Sequence, residues 1–248
     1  MINRTQISRI LLFTAMLVAT SVQGQFGSPG GQSGLNAAML KLFGDTKYCS
    51  SQAEVRMLNK SGAETMTMPI AFSLLDGQMR VELDMTRVKS KEMPPEAAAS
   101  FKQMGLDKMI SIIRPDKKLT IVIYPSLRSY SETPMSKEDA TDLDRKYTLQ
   151  TKKLGSENID GHPCEKNQMT VTADNGQKHE AIVWNALDLA RFPLQIQMNQ
   201  PDATVVMRFS NVQLAKPDAK QFDPPAGFTK YASVEKIMQD AMMKGLRK

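Results

Sequence analysis

The stretch ETMTMPIAFSLLDGQMRVELDMT, residues 64–86, decides the fold of this chain. Apolar and polar residues alternate along both of its halves, which is typical of strands with one dry face and one wet face. The dry face of the two halves comprises Met66, Met68, Ile70, Phe72, Leu74, Met79, Val81, Leu83 and Met85. Asp76 and Gly77 separate the halves, and this dipeptide favours a two-residue hairpin turn. The stretch is therefore predicted to be an antiparallel β-hairpin.

The same alternation returns along the rest of the chain. In PLQIQMN, residues 193–199, the dry face is formed by Leu194, Ile196 and Met198. Helical patterns are short, and they fall in residues 35–44, 94–109, 136–146 and 233–248. Since an open sheet of this width tends to curl, the predicted fold class is mainly β (α+β). We expect a half-open antiparallel β-barrel of about eleven strands with short helices as its lid.

The N-terminal residues have the layout of a secretory signal. Arg4 and Arg9 supply positive charge, an apolar run follows over residues 10–19, and Val22-Gln23-Gly24 resembles a cleavage site. The run is shorter than the roughly 20 residues that span a bilayer, which disfavours the alternative of an uncleaved anchor. The predicted domains are a signal peptide (1–24), a flexible Gly/Ser-rich leader (25–34), a half-barrel domain (35–231) and a C-terminal amphipathic helix (232–248).

We therefore expect a periplasmic or secreted protein, cleaved near Gly24 and without a transmembrane segment afterwards. The formal net charge of +6 falls to +4 if the two signal arginines leave, and this modest excess is spread along the chain. No dense basic track is present, so no nucleic acid partner is expected. The hydrolase motifs G-x-S-x-G and H-E-x-x-H are absent from the folded part, as is a glycine-rich phosphate loop. We predict no catalytic residue, no metal and no cofactor, hence not an enzyme.

The tripeptide His162-Pro163-Cys164 contains one of the two histidines and one of the two cysteines. A catalytic Cys–His pair requires an imidazole that faces the thiol, and a zinc site requires about four ligands; the spacing favours neither. Two cysteines in an exported chain instead favour a disulfide, Cys49–Cys164. His162 is then interpreted as a turn residue, and His179 as a residue of a wet strand face.

Methionine is abundant, with 18 residues, and several methionines fall on the dry strand faces. Unbranched thioether side chains adapt to irregular apolar partners, which is one reading of this composition. Ordinary filling of a hydrophobic core is the other reading, and the residues alone leave both open.

Four segments resemble the Lol-type periplasmic lipoprotein carriers and a related exported family of unknown function. They are IIRPDKKLTIVIYPSLRSYSE (112–132), ENIDGHPCEKNQMTV (157–171), EAIVWNALDLARFPLQIQM (180–198) and LAKPDAKQFDPPAGFTKY (214–231). The resemblance spans roughly residues 48 to 231. It implies a half-open, eleven-stranded antiparallel barrel under a helical lid. Carriers of this kind shelter acyl chains, related modules act as envelope sensors, and no enzymatic activity is implied.

The predicted function is an exported, non-enzymatic protein that holds a lipid or acyl chain in the half-barrel, possible roles being lipoprotein or lipid trafficking. The residues predicted to bind the ligand are the nine dry-face residues of 64–86, together with Leu194, Ile196 and Met198, and Phe101 and Met104 of the lid. The alternative is an envelope sensor or protein-interaction module whose cavity is filled by its own chain. In that case an edge strand or the C-terminal helix would bind an envelope protein partner.

Overall fold

The computed structural model describes residues 35–94 and 96–245. The predicted signal peptide and leader lie outside the described residues. Within the described ranges, the strands are β1 (Tyr48–Asn59), β2 (Glu64–Leu75), β3 (Gln78–Asp84), β4 (Lys89–Ser90), β5 (Lys108–Arg114), β6 (Leu119–Tyr124), β7 (Ser129–Pro134), β8 (Tyr147–Ile159), β9 (His162–Ala173), β10 (Lys178–Ala186), β11 (Phe192–Asn199), β12 (Ala203–Gln213) and β13 (Thr229–Tyr231). The helices are α1 (Leu35–Leu42), α2 (Ala97–Met104), α3 (Lys137–Asp144) and α4 (Val234–Gly245).

All of these strands belong to one sheet in the order β13-β7-β6-β5-β3-β2-β1-β12-β11-β10-β9-β8, with β4 paired to β2. Neighbours are antiparallel except β13, which runs parallel to β7. The sheet is not closed, and β8 and β13 are its edges. The predicted fold class is confirmed. The structure adds two strands to the predicted eleven or so because β4 and β13, with two and three residues, are too short to show alternation.

The hairpin predicted for residues 64–86 is formed by β2 and β3. Phe72 lies opposite Val81, and Leu74 lies opposite Met79. Asp76 and Gly77 have φ angles of 46° and 82°, which is the left-handed conformation that a type I′ turn requires. Met85 lies just beyond β3, in a short 3-10 helix, and is nevertheless buried.

The sheet has two apolar faces. Residues directly opposite on adjacent strands share a face, so the pairs Val55–Met207 and Ile196–Met207 define one side, which we call the inner face. Helices α1, α2 and α4 cover it, and Phe101 and Ile237 of α2 and α4 are buried in its core cluster. Within the described ranges, no helix is long and apolar enough to cross a membrane.

The opposite side, the outer face, is covered by the segment 214–228, which we call the strap. Phe222 of the strap is completely buried in a cluster with Leu75, Ile110, Ile112, Ile121 and Ile123. Arg114, only 7% exposed, donates to the carbonyl oxygen of Phe222 at 2.9 Å and to the Asp223 carboxylate at 2.5 Å. The strap is therefore fixed by the buried ring of Phe222 and by the guanidinium of Arg114, and Arg80 also donates to the carbonyl oxygen of Gln221 at 2.8 Å.

We predict that Phe222→Ala lowers the free energy of unfolding by about 3–5 kcal/mol, because it removes a buried aromatic ring and leaves a cavity. Urea titration at equilibrium measures this change. Phe228→Ala is the matched control, since Phe228 packs on the same cluster but is only half-buried. Equal losses for the two variants would contradict the role assigned to Phe222.

Candidate functional site

The structure brings all fourteen predicted ligand-binding residues to one place. Ten of them are buried members of the inner-face cluster: Met68, Ile70, Phe72, Leu74, Met79, Leu83, Met85, Phe101, Leu194 and Ile196. The other four, Met66, Val81, Met104 and Met198, are partly buried and pack against that cluster. These side chains therefore form one continuous apolar surface. Ligand binding by this surface stays a prediction.

The centre of the inner face is occupied by the chain itself. Phe43 follows α1 directly and stacks on Phe72, with ring centroids 5.3 Å apart and planes inclined by 10°. Its ring also meets the edges of Phe192 and Phe209, both at 5.8 Å. Edge-to-face and stacked contacts of this kind stabilise aromatic clusters beyond simple burial. The sequence reading missed Phe43, because it lies at a helix end and belongs to no strand pattern.

A pocket of about 280 Å³ opens beneath α1, at one end of the inner face. Its apolar part is formed by Ala38, Met39 and Leu42 of α1 and by Val171, Ala181 and Met198 of the sheet. Its polar part is formed by Lys178, His179, Glu180, Asn199 and Gln200, with Pro201 beside them. Ligand pockets for small molecules measure roughly 300–1,000 Å³, so this pocket is slightly smaller than that range. Met198 is the predicted residue that lines it.

His179 lies on the inner face, so its assignment to a wet strand face was wrong. It pairs with Val171, which is buried in the inner cluster, and lies two residues before buried Ala181. Burial lowers the pKa of His179, against an opposing effect of the Asp142 carboxylate. The Nε2 atom is buried and has no hydrogen-bond partner among the described residues. His179 therefore lines the pocket, whereas its Nε2 atom is itself buried, as is Oδ2 of Asp142, which also has no hydrogen-bond partner among the described residues.

Asp142 of α3 is 2% exposed and belongs to the same end of the molecule. Its Oδ1 atom accepts a hydrogen bond from Nε of Arg145 at 2.6 Å, and Arg145 also lies 3.3 Å from Asp174. The backbone carbonyl of Asp142 accepts a hydrogen bond from the hydroxyl of Tyr147 at 2.9 Å. These contacts anchor α3 beside the start of β8.

The tripeptide His162-Pro163-Cys164 does not form a nucleophile–base pair. The Cys164 thiol donates to the backbone carbonyl of His162 at 3.4 Å, whereas the imidazole Nδ1 lies 2.8 Å from Oδ2 of Asp188. The imidazole therefore pairs with a carboxylate of the β10–β11 turn. His162 is the first residue of β9, opposite Ile159, so its interpretation as a turn residue was wrong by one position. Within the ranges that the structure describes, no group of three or more His, Cys, Asp and Glu residues is placed to hold a metal ion.

The predicted Cys49–Cys164 disulfide is not formed in this structure, where both cysteines are buried free thiols. Cys49 lies on β1 and Cys164 on β9, and three strands separate β1 from β9 in the sheet. Adjacent strands are about 4.8 Å apart, whereas a disulfide joins Cα atoms within roughly 7 Å. Burial raises the pKa of Cys49 to about 12 and also raises that of Cys164.

Glu165 of β9 carries the strongest charge network near the β10–β11 turn. Its carboxylate lies 2.9 Å from Lys153 Nζ and 2.6 Å from Arg191 Nη2, and Asn167 donates to it at 3.3 Å. These partners, Lys153 first, lower the pKa of Glu165 to about 2. Arg191 has a positive φ of 60°, so its backbone is held in an uncommon conformation where this ion pair forms.

The chain belongs to the family described as Domain of unknown function (DUF4412), which matches residues 62–192, more than half of the 248 residues. No curated protein matches the chain. The predicted resemblance to a family of unknown function is confirmed by this match.

Several solved structures are similar in fold. A LolA superfamily protein from Nitrosomonas europaea is 12% identical, with a TM-score of 0.37, over 76% of this chain and 94% of that chain. The lipoprotein LppX of Mycobacterium tuberculosis is 14% identical, with a TM-score of 0.38, over 72% and 94%. A chain of the Pseudomonas aeruginosa MucA/MucB complex is 14% identical, with a TM-score of 0.35, over 77% and 61%.

We predict that the native protein is almost unreactive toward Ellman's reagent at about pH 8, because thiolates are the reactive species and burial disfavours them. In concentrated guanidinium chloride without reductant, two thiols per chain should react, and one in Cys49→Ser. If the denatured protein shows no reactive thiol until a reductant is added, the cysteines are joined and the predicted disulfide exists.

The lowered pKa of Glu165 predicts a pH-dependent contribution to stability. A depressed pKa stabilises the folded state above the ordinary value near 4.5, and this stabilisation is lost as the pH falls toward 2. The urea midpoint of Glu165→Gln should therefore lie below that of the wild type at pH 6, and the gap should narrow as the pH approaches 2.5. Glu180→Gln, which removes an exposed carboxylate, is the matched control, and a gap that stays constant with pH would contradict the assignment.

Proposed function

We propose that this protein is an exported, non-enzymatic binding protein of the cell envelope, which holds the acyl chain of a lipid or lipoprotein against its inner face. The observation that supports the proposal is the pocket beneath α1. There, part of the apolar inner face meets solvent, with an apolar floor of Val171, Ala181 and Met198. Burial of a methylene group contributes about 0.8 kcal/mol, so an alkyl chain on this floor would bind without covalent chemistry.

A volume of about 280 Å³ accommodates a single short chain. A longer chain requires α1 and Phe43 to move away from the sheet. Helix α1 has eight residues, and a helix of this length is marginal without tertiary contacts. Its attachment consists mainly of the buried side chains of Ala38, Met39, Leu42 and Phe43. In this proposal, α1 is a plug that an acyl chain displaces.

The edge strand β8 supplies an apolar entrance. Leu149 is 43% exposed and pairs with Val171, so it lies on the same side of the sheet as the pocket floor. An alkyl chain could contact Leu149 before it reaches the buried floor. The predicted ligand-binding residues Leu194 and Ile196 lie further along β11 from Met198, and they would extend the binding surface once α1 moves.

A second candidate function is an envelope sensor or protein-interaction module. The observation that favours it is that Phe43, Phe101 and Ile237 already fill the inner face. Among the described strands, the 13-residue β8 has a neighbour on one side only, and such an edge can pair with an extended segment of a protein partner. In this reading the protein holds no lipid.

Native mass spectrometry of protein purified from the periplasmic fraction distinguishes the two candidates. The first predicts a chain that begins after Gly24 and carries co-purified lipid, which organic extraction removes. The second predicts the bare chain. A mass that includes residues 1–24 would contradict the predicted signal cleavage.

The plug is tested by Phe43→Ala, which we expect to increase the binding of a fluorescent C16 fatty acid several-fold, because the ring no longer competes for the inner face. Phe222→Ala is the matched control, since it removes the same side chain from the outer face. If both variants bind like the wild type, α1 is not the plug. Increased binding by Phe222→Ala as well would indicate general loosening.

A further inference from the structure

The two edges of the sheet differ in length and in cover. Among the described strands, β13 at one edge has three residues and is contacted by α4, whereas β8 at the other edge has 13 residues, most of them exposed. Proteins usually keep edge strands short or blocked, because the free N–H and C=O groups of an edge pair readily with another strand. The long edge of β8 is therefore a candidate pairing site.

The hydrogen bonds to β9 determine which backbone groups of β8 point to the free edge. The carbonyl oxygen of Lys146 accepts a hydrogen bond from the N–H of Asp174 at 3.0 Å, so the backbone of Lys146 is bonded on the β9 side. In an antiparallel pair, residues bonded to the neighbouring strand alternate with residues whose backbone groups point away from it. The N–H and C=O groups of Leu149, Thr151 and Lys153 therefore face the free edge.

The charges of β8 select among the registers in which this edge could pair with a second copy of itself. In a two-fold antiparallel pair, the central residue lies opposite its own copy. A centre at Leu149 would place Lys146 opposite Lys152 of the second copy, and a centre at Lys153 would place two lysines opposite each other. Like charges directly opposite are destabilising. A centre at Thr151 avoids both of these clashes.

The register centred at Thr151 also brings complementary residues together. Leu149 lies opposite the bulge that contains Leu154, so leucines that are 43% and 45% exposed in the single chain become neighbours. Because the bulge adds one residue to the strand, Lys146 then lies opposite Glu157 of the second copy. This pair has opposite charges. The sequence of β8 is therefore complementary to itself in this register.

We propose that two copies of this chain associate through antiparallel pairing of their β8 strands about a two-fold axis at Thr151. The two inner faces then lie on the same side of one continuous sheet, because residues opposite each other across the axis share a face. The inference goes beyond both candidate functions, since it requires neither a lipid nor a different protein.

Sedimentation equilibrium of the purified protein over a series of concentrations tests the inference. We expect the wild type to dimerise with a dissociation constant below about 100 μM. Thr151→Pro removes an N–H that points away from β9, so the bonds to β9 remain. It should weaken dimerisation at least about tenfold, because two symmetric hydrogen bonds are lost. Thr151→Val keeps the N–H and is the matched control, expected within about threefold of the wild type.

Two lysine variants test the register. Lys146→Glu places a carboxylate opposite Glu157 of the second copy and should weaken the dimer at least about fivefold. Lys152→Glu makes the same charge change on the same strand, with no carboxylate directly opposite, and should stay within about twofold of the wild type. If urea titration shows that Thr151→Pro does not fold, the comparison of these two variants decides.

A wild type that stays monomeric above about 100 μM would overturn the inference. So would equal losses for the two lysine variants, or dimerisation of folded Thr151→Pro at the wild-type level, since the contact would then lie elsewhere. None of these outcomes bears on lipid binding, which is measured separately.

Discussion

The constraint that governs this structure is that a very wide apolar sheet face must be kept from water by very little helix. Helices α1, α2 and α3 have eight residues each, and α4 has twelve. These helices are too short to shield the whole inner face, so its coverage depends on a few large side chains. Phe43 contributes most at the centre, because one ring contacts Phe72, Phe192 and Phe209 on three different strands. The open end of the inner face, beneath α1, is where this coverage stops.

The outer face explains a part of the sequence that does not alternate. Strand β5 reads KMISIIR, in which Met109 and Ile113 belong to the inner cluster while Ile110 and Ile112 belong to the outer one. A strand that is buried on both sides has no reason to alternate. The cover on the outer side is the strap, whose polar backbone is satisfied where Arg114 meets the carbonyl of Phe222. The strap therefore covers the outer apolar layer, and helices α1, α2 and α4 cover the inner one.

Sequence reasoning predicted what depends on neighbours along the chain. Turn chemistry predicts the hairpin at Asp76-Gly77. The sequence period predicts which residues of a strand face inward and where the four helices lie. The structure contains all of these features. It could not predict which distant segments meet. The period of two says that Phe72 points inward but not that Phe43 stacks on it, and two cysteines in one chain do not reveal that their strands are separated by three others. His179 was misassigned because a polar residue can occupy the inner face where that face ends in a solvent-open pocket.

If α1 is the plug proposed above, it also determines what kind of binding the inner face can support. In that case Phe43 and an acyl chain compete for the same apolar surface, so ligand entry exchanges one buried apolar group for another. The binding free energy is then the difference between burying the acyl chain and burying the ring of Phe43. A chain that enters an empty cavity would instead gain its full free energy of burial. Such an exchange keeps affinity moderate and release easy, because the returning ring of Phe43 stabilises the empty state. A protein that transfers its ligand to an acceptor requires moderate affinity and easy release, whereas a storage protein does not. The same competition protects the unliganded molecule, since closure of α1 leaves no large apolar surface exposed to other chains at the centre of the sheet.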